Sequence, residues 1–379
     1  MDEFARIRHW TRGRQRPDWL RSRGVVVGIG DDAAVLEPDR DGTGAPRHLV
    51  WTVDTMVEDV HFNAATMDDP DVGWKALASN VSDIAAMGGE PRHALVSVSV
   101  PRSRDPERVR RLYDGLYACA DRYGVAVVGG DTTSSPERLV VTVALGGAVE
   151  AGKAVTRGGA RPGDLVFLTG PVGLSAAGLH WLTAAAAAAG GDATGPVPIA
   201  AAEAAGTAAL VRAHRRPEPS VAAGRLLAAS GACTSLNDVS DGLASEAREI
   251  AEASGAALVI RERLLPVRGD LAAYARAAAG GDDARAGELL LDWMLGGGED
   301  YALLGTLDPA GLDRLGAAFR AAGLELHVIG AVEAGPPGLW LEPADGGRRR
   351  PVEARGYNHF GGISAASAAA WMKKDGERP

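Results

Sequence analysis

The sequence predicts a mixed α/β (α+β) protein of two domains, and three observations favour this fold class. The 379 residues exceed the usual length of one domain, and 46% of them are hydrophobic. Apolar, strand-like runs alternate with helical patterns over the first 150 residues. The apolar content allows substantial cores and argues against disorder of the whole chain. We place the domains at residues 1–150 and 151–379, because a second block of strands and helices begins near Gly152.

The first domain is predicted to contain four strands and two helices. Its strands are HLVWTVDTMV, HALVSVSVP, VAVVGGDTT and RLVVTVALGGAV, all rich in β-branched and apolar residues. Pro101 is expected to end the second strand, and the glycines of the third are expected to form a turn. The helices are DVGWKALASNVSDIAAMG, which ends at Gly88 and Gly89, and the amphipathic DPERVRRLYDGLYACADRYG.

The second domain is predicted to begin with a strand, a glycine turn and a helix in GDLVFLTGPVGLSAAGLHWL. In TGPVG we favour tight helix–strand packing over a phosphate cradle at the helix N-terminus. The Ala/Gly-rich segment Ala184–Pro198 is interpreted as a helix end followed by a surface loop. SLNDVSDGLASEAREIAEASG is interpreted as a strand end, an acidic turn and a helix, which Ser240 or Asp241 could cap. VIGAVEAG and LWLEP are predicted to be late strands.

Composition restricts the partners and the compartment. The formal charge of 40 − 49 = −9 argues against a nucleic-acid-binding protein. Cys119 and Cys233 are the two cysteines, and they form neither a zinc motif nor a disulfide framework, which fits a reducing cytosol. The N-terminus shows no apolar signal region, and no apolar run is long enough for a convincing membrane span. We therefore expect a cytoplasmic protein with no membrane or nucleic-acid partner.

Carboxylates recur beside glycine-marked turns along the chain. The motifs are GIGDDAAVL, WTVDTMVEDVHF, NVSDIAAMGGEP, VVGGDTT, NDVSDGL and GGGEDYAL. A single aspartate at such a turn more often bonds the nearby backbone, and this is our interpretation of Asp31. Converging carboxylates, however, repel one another unless cations lie between them, and Mg²⁺ prefers oxygen ligands while bridging phosphates. The glycines would let backbone amides approach phosphate oxygens. The pattern therefore predicts a metal–phosphate site.

In their order, these motifs resemble the thiamine-monophosphate kinase family, in the superfamily that includes aminoimidazole ribonucleotide synthetase. TRGGARPGD, TGPVGLSAAGL and GYNHFGG add to the resemblance, which spans Gly28 to Gly362. DTMVEDVHF and GYNHF distinguish this family from its superfamily relatives. The sequence contains neither the G-x-x-x-x-G-K-[ST] motif of P-loop enzymes nor the protein-kinase motif set, so those two classes are excluded.

The resemblance implies ATP-dependent phosphorylation of thiamine monophosphate to thiamine diphosphate, the last step of thiamine diphosphate biosynthesis. It implies several Mg²⁺ ions, with ATP as co-substrate and a monovalent cation as a further candidate cofactor. It also implies a homodimer whose N-terminal sheets join into a barrel, and a C-terminal α/β sandwich. The apolar N-terminal strands agree with such a dimer, because a sheet edge would otherwise remain open.

Residue by residue, the resemblance implies three groups of site residues. The metal ligands are Asp32, Thr52, Val53, Asp54, Asp83, Asp131, Asp238 and Asp241. The nucleotide-binding residues are Tyr113, Gly130, Asp131, Arg157 and Ser240. The substrate-binding residues are His61, Glu299 and Tyr357. Arg157 would bind phosphate through its guanidinium fork. Val53 departs from the Thr or Ser that the family often has there, so a metal contact would need its backbone carbonyl. No residue is assigned as a general base.

Simpler roles remain open for several of these residues. His61 could be a satisfied structural histidine, Tyr357 a packing aromatic and Glu299 a helix cap. Two other functions also remain open: an ATP-using enzyme of the same superfamily that activates an amide or carbonyl oxygen, and a non-catalytic nucleotide-binding protein. DTMVEDVHF and GYNHF argue against the first, and the joint presence of six aspartates argues against the second.

Overall fold

The computed structural model describes residues 10–11, 13–27, 35–36, 46–190 and 195–353, without the side chains of 26–27 and 35–36. The predicted site residues Asp32 and Tyr357 lie outside the described residues, as do Asp31 and the motif GYNHFGG. Within the described ranges, no helix is long and apolar enough to cross a membrane.

Most of the described chain is organised into strands and helices. The strands are β1 (Val25–Val27), β2 (Val35–Leu36), β3 (Arg47–Val57), β4 (Glu90–Pro101), β5 (Ala126–Ser135), β6 (Val140–Glu150), β7 (Leu165–Leu168), β8 (Cys233–Asp238), β9 (Ala257–Arg261), β10 (Leu303–Leu307), β11 (His327–Glu333), β12 (Gly338–Glu342) and β13 (Arg350–Pro351). The helices are α1 (Pro17–Ser22), α2 (Asp69–Ala86), α3 (Pro106–Tyr123), α4 (Leu174–Ala188), α5 (Ile199–Ala204), α6 (Ala208–Arg215), α7 (Val221–Ser230), α8 (Leu243–Ser254), α9 (Gly269–Ala278), α10 (Asp283–Gly296) and α11 (Leu312–Ala321).

The N-terminal half contains a four-stranded sheet with α2 and α3 packed on one face. Its strand order is β3-β6-β4-β5, in which β4 and β5 are parallel and the other pairs are antiparallel. The two helices and alternate residues of the strands enclose an apolar core. The four strands and two helices predicted for this half are confirmed in type and order. The domain boundary at residue 150 stays a prediction.

Strand β5 corrects one prediction, because it runs straight through the glycines that were expected to form a turn. It continues to Ser135 and pairs in parallel with β4 along its whole length. Gly130 has a φ of 155°, and a Cβ at this position would lie 1.8 Å from the carbonyl oxygen of Val96. Glycine is therefore needed here for the close approach of two strands, and not for a reversal of the chain.

The opposite edge strand, β3, has two different faces. Leu49, Trp51 and Val53 point to one face and are 63%, 57% and 61% exposed. Thr52 and Asp54 point to the other face, where they bond to side chains of α2. An exposed apolar stripe on an edge strand is a surface that another chain can cover. It agrees with the predicted homodimer, which stays a prediction.

The C-terminal half is a seven-stranded sheet covered by helices on both faces. Its order is β13-β12-β9-β11-β7-β10-β8, and of these neighbours β12 and β9 pair in parallel while the others pair antiparallel. One apolar core lies between the sheet and helices α4, α6, α8, α9 and α10. A second core lies between the opposite face and helices α7 and α11. The predicted α/β sandwich is confirmed.

Helix α2 joins the two halves. Its last residues, Ala85 and Ala86, leave the N-terminal core and pack in the second core of the C-terminal half. Gly224 of α7 permits this contact, because a Cβ there would lie 2.2 Å from the Ala85 carbonyl oxygen. Arg225 of α7 donates to the Gly88 carbonyl at 2.7 Å and pairs with Glu150. The end of α2 is therefore fixed between the two sheets.

Candidate active site

A cleft of about 520 Å³ opens between the two halves, beside the end of α2. Residues from both halves form its walls: Val50, Trp51, Thr52, Asp83, Ala86, Met87, Thr156, Arg157, Gly158, Leu236, Asn237 and Asp238. Two predicted carboxylate ligands, the predicted phosphate-binding arginine and Thr52 therefore face one space, although they come from positions far apart in the sequence.

Three carboxylates approach one another here: Asp83 and Asp238 line the cleft, and Asp54 is close enough to both to affect their pKa values. Asp83 lies on the last turn of α2 and accepts a hydrogen bond from the Thr52 hydroxyl. Asp238 ends β8 and accepts a bond from the Ser82 hydroxyl at 2.6 Å. Asp54 lies on β3, where its backbone N–H donates to Asn80 at 3.1 Å. Of the described lysines and arginines, none forms an ion pair with these three aspartates.

The electrostatics of the cluster is unfavourable without a further cation. Burial and the neighbouring Asp238 and Asp54 raise the pKa of Asp83 to about 7. Burial also raises the pKa of Asp238 to about 7, and it raises the pKa of Asp54. Like charges held together in a buried site cannot all remain ionised at neutral pH unless opposite charge is supplied.

This cluster fits a metal that is shared with a ligand. Among the described residues, no three His, Cys, Asp or Glu side chains form a group that could by itself hold a metal ion. Mg²⁺, however, usually keeps several waters and binds through one or two carboxylates together with substrate phosphates. The oxygens of the half-buried Asp54 and Asp83 and of the buried Asp238 offer donors of this type, and an added divalent cation would relieve their repulsion. Asp32 lies outside the described residues.

On the opposite wall, Arg157 is held by a polar network on β8 and α8. Its Nε donates to Asn237 at 3.0 Å, and its Nη1 pairs with Glu249 at 2.9 Å. The Asn237 amide donates in turn to the buried Glu246. Burial raises the pKa of Glu246 to about 7. Neither Asn237 nor Glu246 was singled out from the sequence, since NDVSDGL drew attention only to its aspartates and Ser240.

The start of α8 corrects the predicted helix cap. Its N-cap residue is Gly242, and no side chain caps the helix there. Ser240 and Asp241 instead bond to the Glu246 carboxylate, through the serine hydroxyl at 3.3 Å and the aspartate N–H at 3.0 Å. The carboxylate of the first helical turn thus reaches back to the acidic turn, which leaves the Asp241 side chain exposed.

The GGGEDYAL loop lies against this turn. Glu299 and Tyr301 both adopt left-handed backbone conformations, with φ values of 64° and 52°. Their N–H groups donate to the Ser240 and Val239 carbonyls at 2.7 and 3.0 Å. Asp300 is directed the other way and accepts the backbone N–H groups that begin α4. Those amides are bonded within the chain, in agreement with the packing interpretation of TGPVG.

A second charged cluster surrounds Glu299. The Lys75 ammonium of α2 is 1% exposed and lies 2.9 Å from the Glu299 carboxylate, which is 30% exposed. The His214 Nδ1 lies 3.4 Å from that carboxylate and 3.1 Å from the Ser175 hydroxyl. Burial lowers the pKa of Lys75 and lowers the pKa of His214 well below its usual value. Lys75 and His214 were missed from the sequence, although a lysine inside the apolar pattern of WKALASNV was an available signal.

His61 follows β3 and is bonded to it. Its Nδ1 accepts the Val57 N–H at 2.9 Å, so the proton of a neutral ring lies on Nε2. The ring is close enough to Asp54 to lower the pKa of that carboxyl, against the larger effect of burial. His61 therefore has the structural bond expected of a satisfied histidine and is also a neighbour of the carboxylate cluster.

The remaining predicted nucleotide residues lie elsewhere in this chain. Tyr113 is buried and stacks on Trp10, with ring centroids 5.7 Å apart. It lines a small cavity of about 40 Å³ with Gly130 and Asp131 of β5. Strands β5 and β3 are opposite edges of the sheet, separated by two strands and so by about 14 Å. One chain does not bring Asp131 to the carboxylates of the cleft.

The two-domain fold and its acidic cleft define the class of AIR synthase related proteins. Models of the N-terminal and C-terminal domains of AIR synthase related proteins match residues 30–149 and 161–339. Within this class the chain is 39% identical to thiamine-monophosphate kinase from Bacillus subtilis over 360 residues, which cover 95% of this chain and 100% of that protein. The chain therefore belongs to the thiamine-monophosphate kinase family.

Solved structures agree with this assignment. The crystal structure of thiamine-monophosphate kinase from Stenotrophomonas maltophilia K279a is 32% identical, with a TM-score of 0.70 over 86% of this chain and 95% of that one. The structure of AaThiL complexed with AMPPCP and TMP is 31% identical, with a TM-score of 0.68 over 90% of this chain and 94% of that one. The fold predicted from the sequence is confirmed.

Proposed function

We propose that this chain transfers the γ-phosphoryl group of ATP to thiamine monophosphate by direct in-line displacement and so forms thiamine diphosphate. The observation that carries the proposal is the cluster of Asp54, Asp83 and Asp238 at a cleft that also contains Arg157. Such a cluster stays fully ionised at neutral pH only when cations are added, and cations together with an arginine are what two phosphate-bearing substrates require. The choice of substrates is supported by the relatives, one of which is complexed with AMPPCP and TMP.

Mg²⁺ is the cation that we propose, with ATP as co-substrate. Its ligands would be drawn from Asp32, Thr52, the Val53 carbonyl, Asp54, Asp83, Asp131, Asp238 and Asp241. When bound, Mg²⁺ would offset the charge of the phosphates and stabilise the group in transfer. A monovalent cation and a cytoplasmic location are further parts of the proposal, supported by the sequence resemblance and the cysteine content.

The acceptor oxygen needs no general base. The second ionisation of a phosphomonoester lies near pH ~6, so this oxygen is already an anion at neutral pH. The Nδ1 of His61 already accepts the Val57 N–H and is not available to take a proton. The main difficulty is the approach of two anions, which costs roughly 4 kcal/mol for unit charges about 4 Å apart at an effective dielectric of 20.

The side chains of the site therefore bind a substrate or orient another side chain, and none of them needs to accept a proton. Arg157 binds phosphate from the C-terminal half, with Ser240 at the acidic turn beside it. Glu299 and His61 bind the thiamine end, and Tyr357 is proposed to complete that end. The buried Lys75 pairs with one side of the Glu299 carboxylate and so fixes its orientation, while the partly exposed carboxylate can still reach a substrate.

We further propose that two copies close their N-terminal sheets into one barrel. The stripe of Leu49, Trp51 and Val53 would then be covered, and β5 of one copy would lie beside β3 of the other. Gly130 lies level with Asp54 across the sheet, because Gly130 pairs with Val96, which pairs with Val143, which pairs with Asp54. Head-to-tail closure would therefore bring Asp131 and Tyr113 of the second copy to the cleft of the first.

Mixed dimers test this arrangement. Asp83→Asn and Asp131→Asn should each be inactive alone, because each dimer then lacks a ligand at both sites. After unfolding and refolding together, half of the dimers would be mixed, and each of those would contain one intact site. About a quarter of the wild-type activity should return. If the mixture stayed as inactive as its components while light scattering showed dimers, Asp131 would act within its own chain.

A substrate panel tests the reaction itself. ADP formation should require thiamine monophosphate, should not occur with thiamine or with ATP alone, and should match thiamine diphosphate formation one to one. ATP consumption with an amide- or carbonyl-bearing acceptor instead would favour the alternative enzyme of the superfamily. Tight ATP binding without turnover of any acceptor would favour a non-catalytic nucleotide-binding protein.

A further inference from the structure

Glu246 is a buried carboxylate behind the cleft that links two separate parts of the proposed nucleotide site. It is 2% exposed and lies on the first turn of α8. Its Oε1 accepts the Asp241 N–H at 3.0 Å and the Ser240 hydroxyl at 3.3 Å. Its Oε2 accepts the side-chain amide of Asn237. One side chain therefore determines the position of both the acidic turn and Asn237.

Asn237 extends this connection to Arg157. It is 1% exposed, and its side-chain oxygen accepts the Arg157 Nε–H at 3.0 Å. Because its amide nitrogen faces the carboxylates of Glu246 and Glu249, its oxygen must face the guanidinium. Reversing the amide would set donor against donor at Arg157. The orientation of this amide is thus determined by Glu246.

The other contact of Arg157 cannot fix it alone. Glu249 pairs with the guanidinium at 2.9 Å, but the arginine side chain is 56% exposed and that of Glu249 is 44% exposed. Exposed ion pairs contribute little and leave both side chains mobile. The buried Asn237 is therefore the contact that gives Arg157 a defined direction.

We propose that Glu246 and Asn237 are positioning residues that hold Arg157 and the Ser240–Asp241 turn in the one arrangement that binds the ATP polyphosphate. This inference rests on the proposed function. Both side chains are almost fully buried, and their effect on ATP would be exerted through Arg157, Ser240 and Asp241. They act on the nucleotide side of the cleft, so binding of thiamine monophosphate should not depend on them.

A reciprocal exchange of side chains tests the inference. Glu246→Gln keeps the size of the side chain but replaces one of its two acceptor oxygens with a donor NH₂ group. If that NH₂ group faces Asn237, the Asn237 amide must turn its nitrogen toward Arg157. If it faces the turn instead, the Asp241 N–H loses its acceptor. Combining Glu246→Gln with Asn237→Asp restores both contacts. The new aspartate offers one carboxylate oxygen to the Arg157 N–H and accepts the glutamine NH₂ with the other. Glu252→Gln is the control, since Glu252 lies on the same helix and bonds Arg248 at the surface.

The measurement is steady-state kinetics with both substrates varied, which gives KM for ATP and KM for thiamine monophosphate in each protein. Glu246→Gln should raise KM for ATP about tenfold, the loss of one charge-assisted bond, while KM for thiamine monophosphate changes less than about twofold. The double variant should return KM for ATP to within about threefold of wild type, and the control should match wild type. If Glu246→Gln does not fold, the folded double variant still decides the question by its KM for ATP.

Two outcomes would overturn the inference. One is an unchanged KM for ATP in folded Glu246→Gln. The other is a parallel rise of both KM values that the double variant does not reverse, which would indicate a general structural role. Either result can be obtained only if wild type makes thiamine diphosphate. Failure of wild type to do so would instead refute the proposed function, and the two failures are therefore distinguishable.

Discussion

Helix α2, where the two halves of the molecule meet, contributes to two charged clusters. Within the described part of the chain, the negative charge is paired with a lysine in one cluster and is unpaired in the other. In the cleft, Asp83 meets Asp54 and Asp238, and no described lysine or arginine pairs with them. About two turns earlier on the helix, Lys75 is buried against Glu299, so one cation meets one anion. The chain neutralises the second cluster itself, whereas it offsets the first only in part, through Arg157, and binding must supply the remaining positive charge. We infer that the first cluster serves the reaction and the second holds a substrate-binding side chain.

The largest effect is expected at the unbalanced cluster. Asp83→Asn removes a charge with little change in volume, so the rate of thiamine diphosphate formation at saturating Mg²⁺ should fall roughly a thousandfold. The melting temperature in chelator at pH 8 should not fall, because a buried repulsion is removed. Asp313→Asn, on the surface of α11, is the control. Near wild-type turnover by Asp83→Asn would show that the cleft does not work through this carboxylate.

Removing the cation from the Lys75–Glu299 pair should lower the stability of the protein, in contrast to Asp83→Asn. Lys75→Met leaves the Glu299 carboxylate without its buried partner and should cost about 2 kcal/mol in the free energy of unfolding. This is less than the roughly 3–5 kcal/mol typical of a broken buried pair, because Glu299 is partly exposed. KM for thiamine monophosphate should rise about tenfold with a smaller change in kcat. Adding Glu299→Gln should recover most of the stability but not the substrate binding. Full stability of Lys75→Met in urea titrations would remove the contrast between the two clusters.

A smaller effect is expected for His61. His61→Asn should weaken binding of thiamine monophosphate by about tenfold and slow the chemical step much less, because the acceptor is already an anion. Single-turnover rates at saturating substrate from pH 6.5 to 9 should show no loss that follows deprotonation or replacement of the ring. A thousandfold slower chemical step with unchanged substrate affinity would mean that His61 is a general base after all.

The smallest effect is expected in the pH dependence of the free energy of unfolding of the metal-free protein. The pKa of Asp83 is raised to about 7 in the folded protein from 3.8, so its contribution to stability is fully present below 3.8 and is lost as the pH rises through 7. Between pH 6 and 8 in chelator, wild type should lose about 1 kcal/mol more in the free energy of unfolding than Asp83→Asn. If the free energy of unfolding changed equally with pH in the two proteins, the Asp83 carboxylate would not be destabilised by its neighbours in the absence of metal.

The sequence predicted more of the fold than of the contacts that complete the site. The strands and helices of the N-terminal half follow from local patterns, and so does the placement of Asp83 and Asp238 at the ends of their elements. The turn predicted at Gly130 was wrong because a glycine required between strands has the same local signal as one in a turn. Lys75 and Glu299 are 224 positions apart, so their ion pair depends on how the halves pack, which no local pattern contains.

The sharpest test of the carboxylate cluster as a metal site is the dependence of the reaction on an added divalent cation. Enzyme freed of metal by chelation is mixed with ATP and thiamine monophosphate, and thiamine diphosphate is measured while Mg²⁺ is titrated. We expect no product above background without Mg²⁺, and one thiamine diphosphate for each ADP once Mg²⁺ is added. Thiamine diphosphate formation at an undiminished rate in the chelated protein would show that Asp54, Asp83 and Asp238 do not act by holding a metal ion.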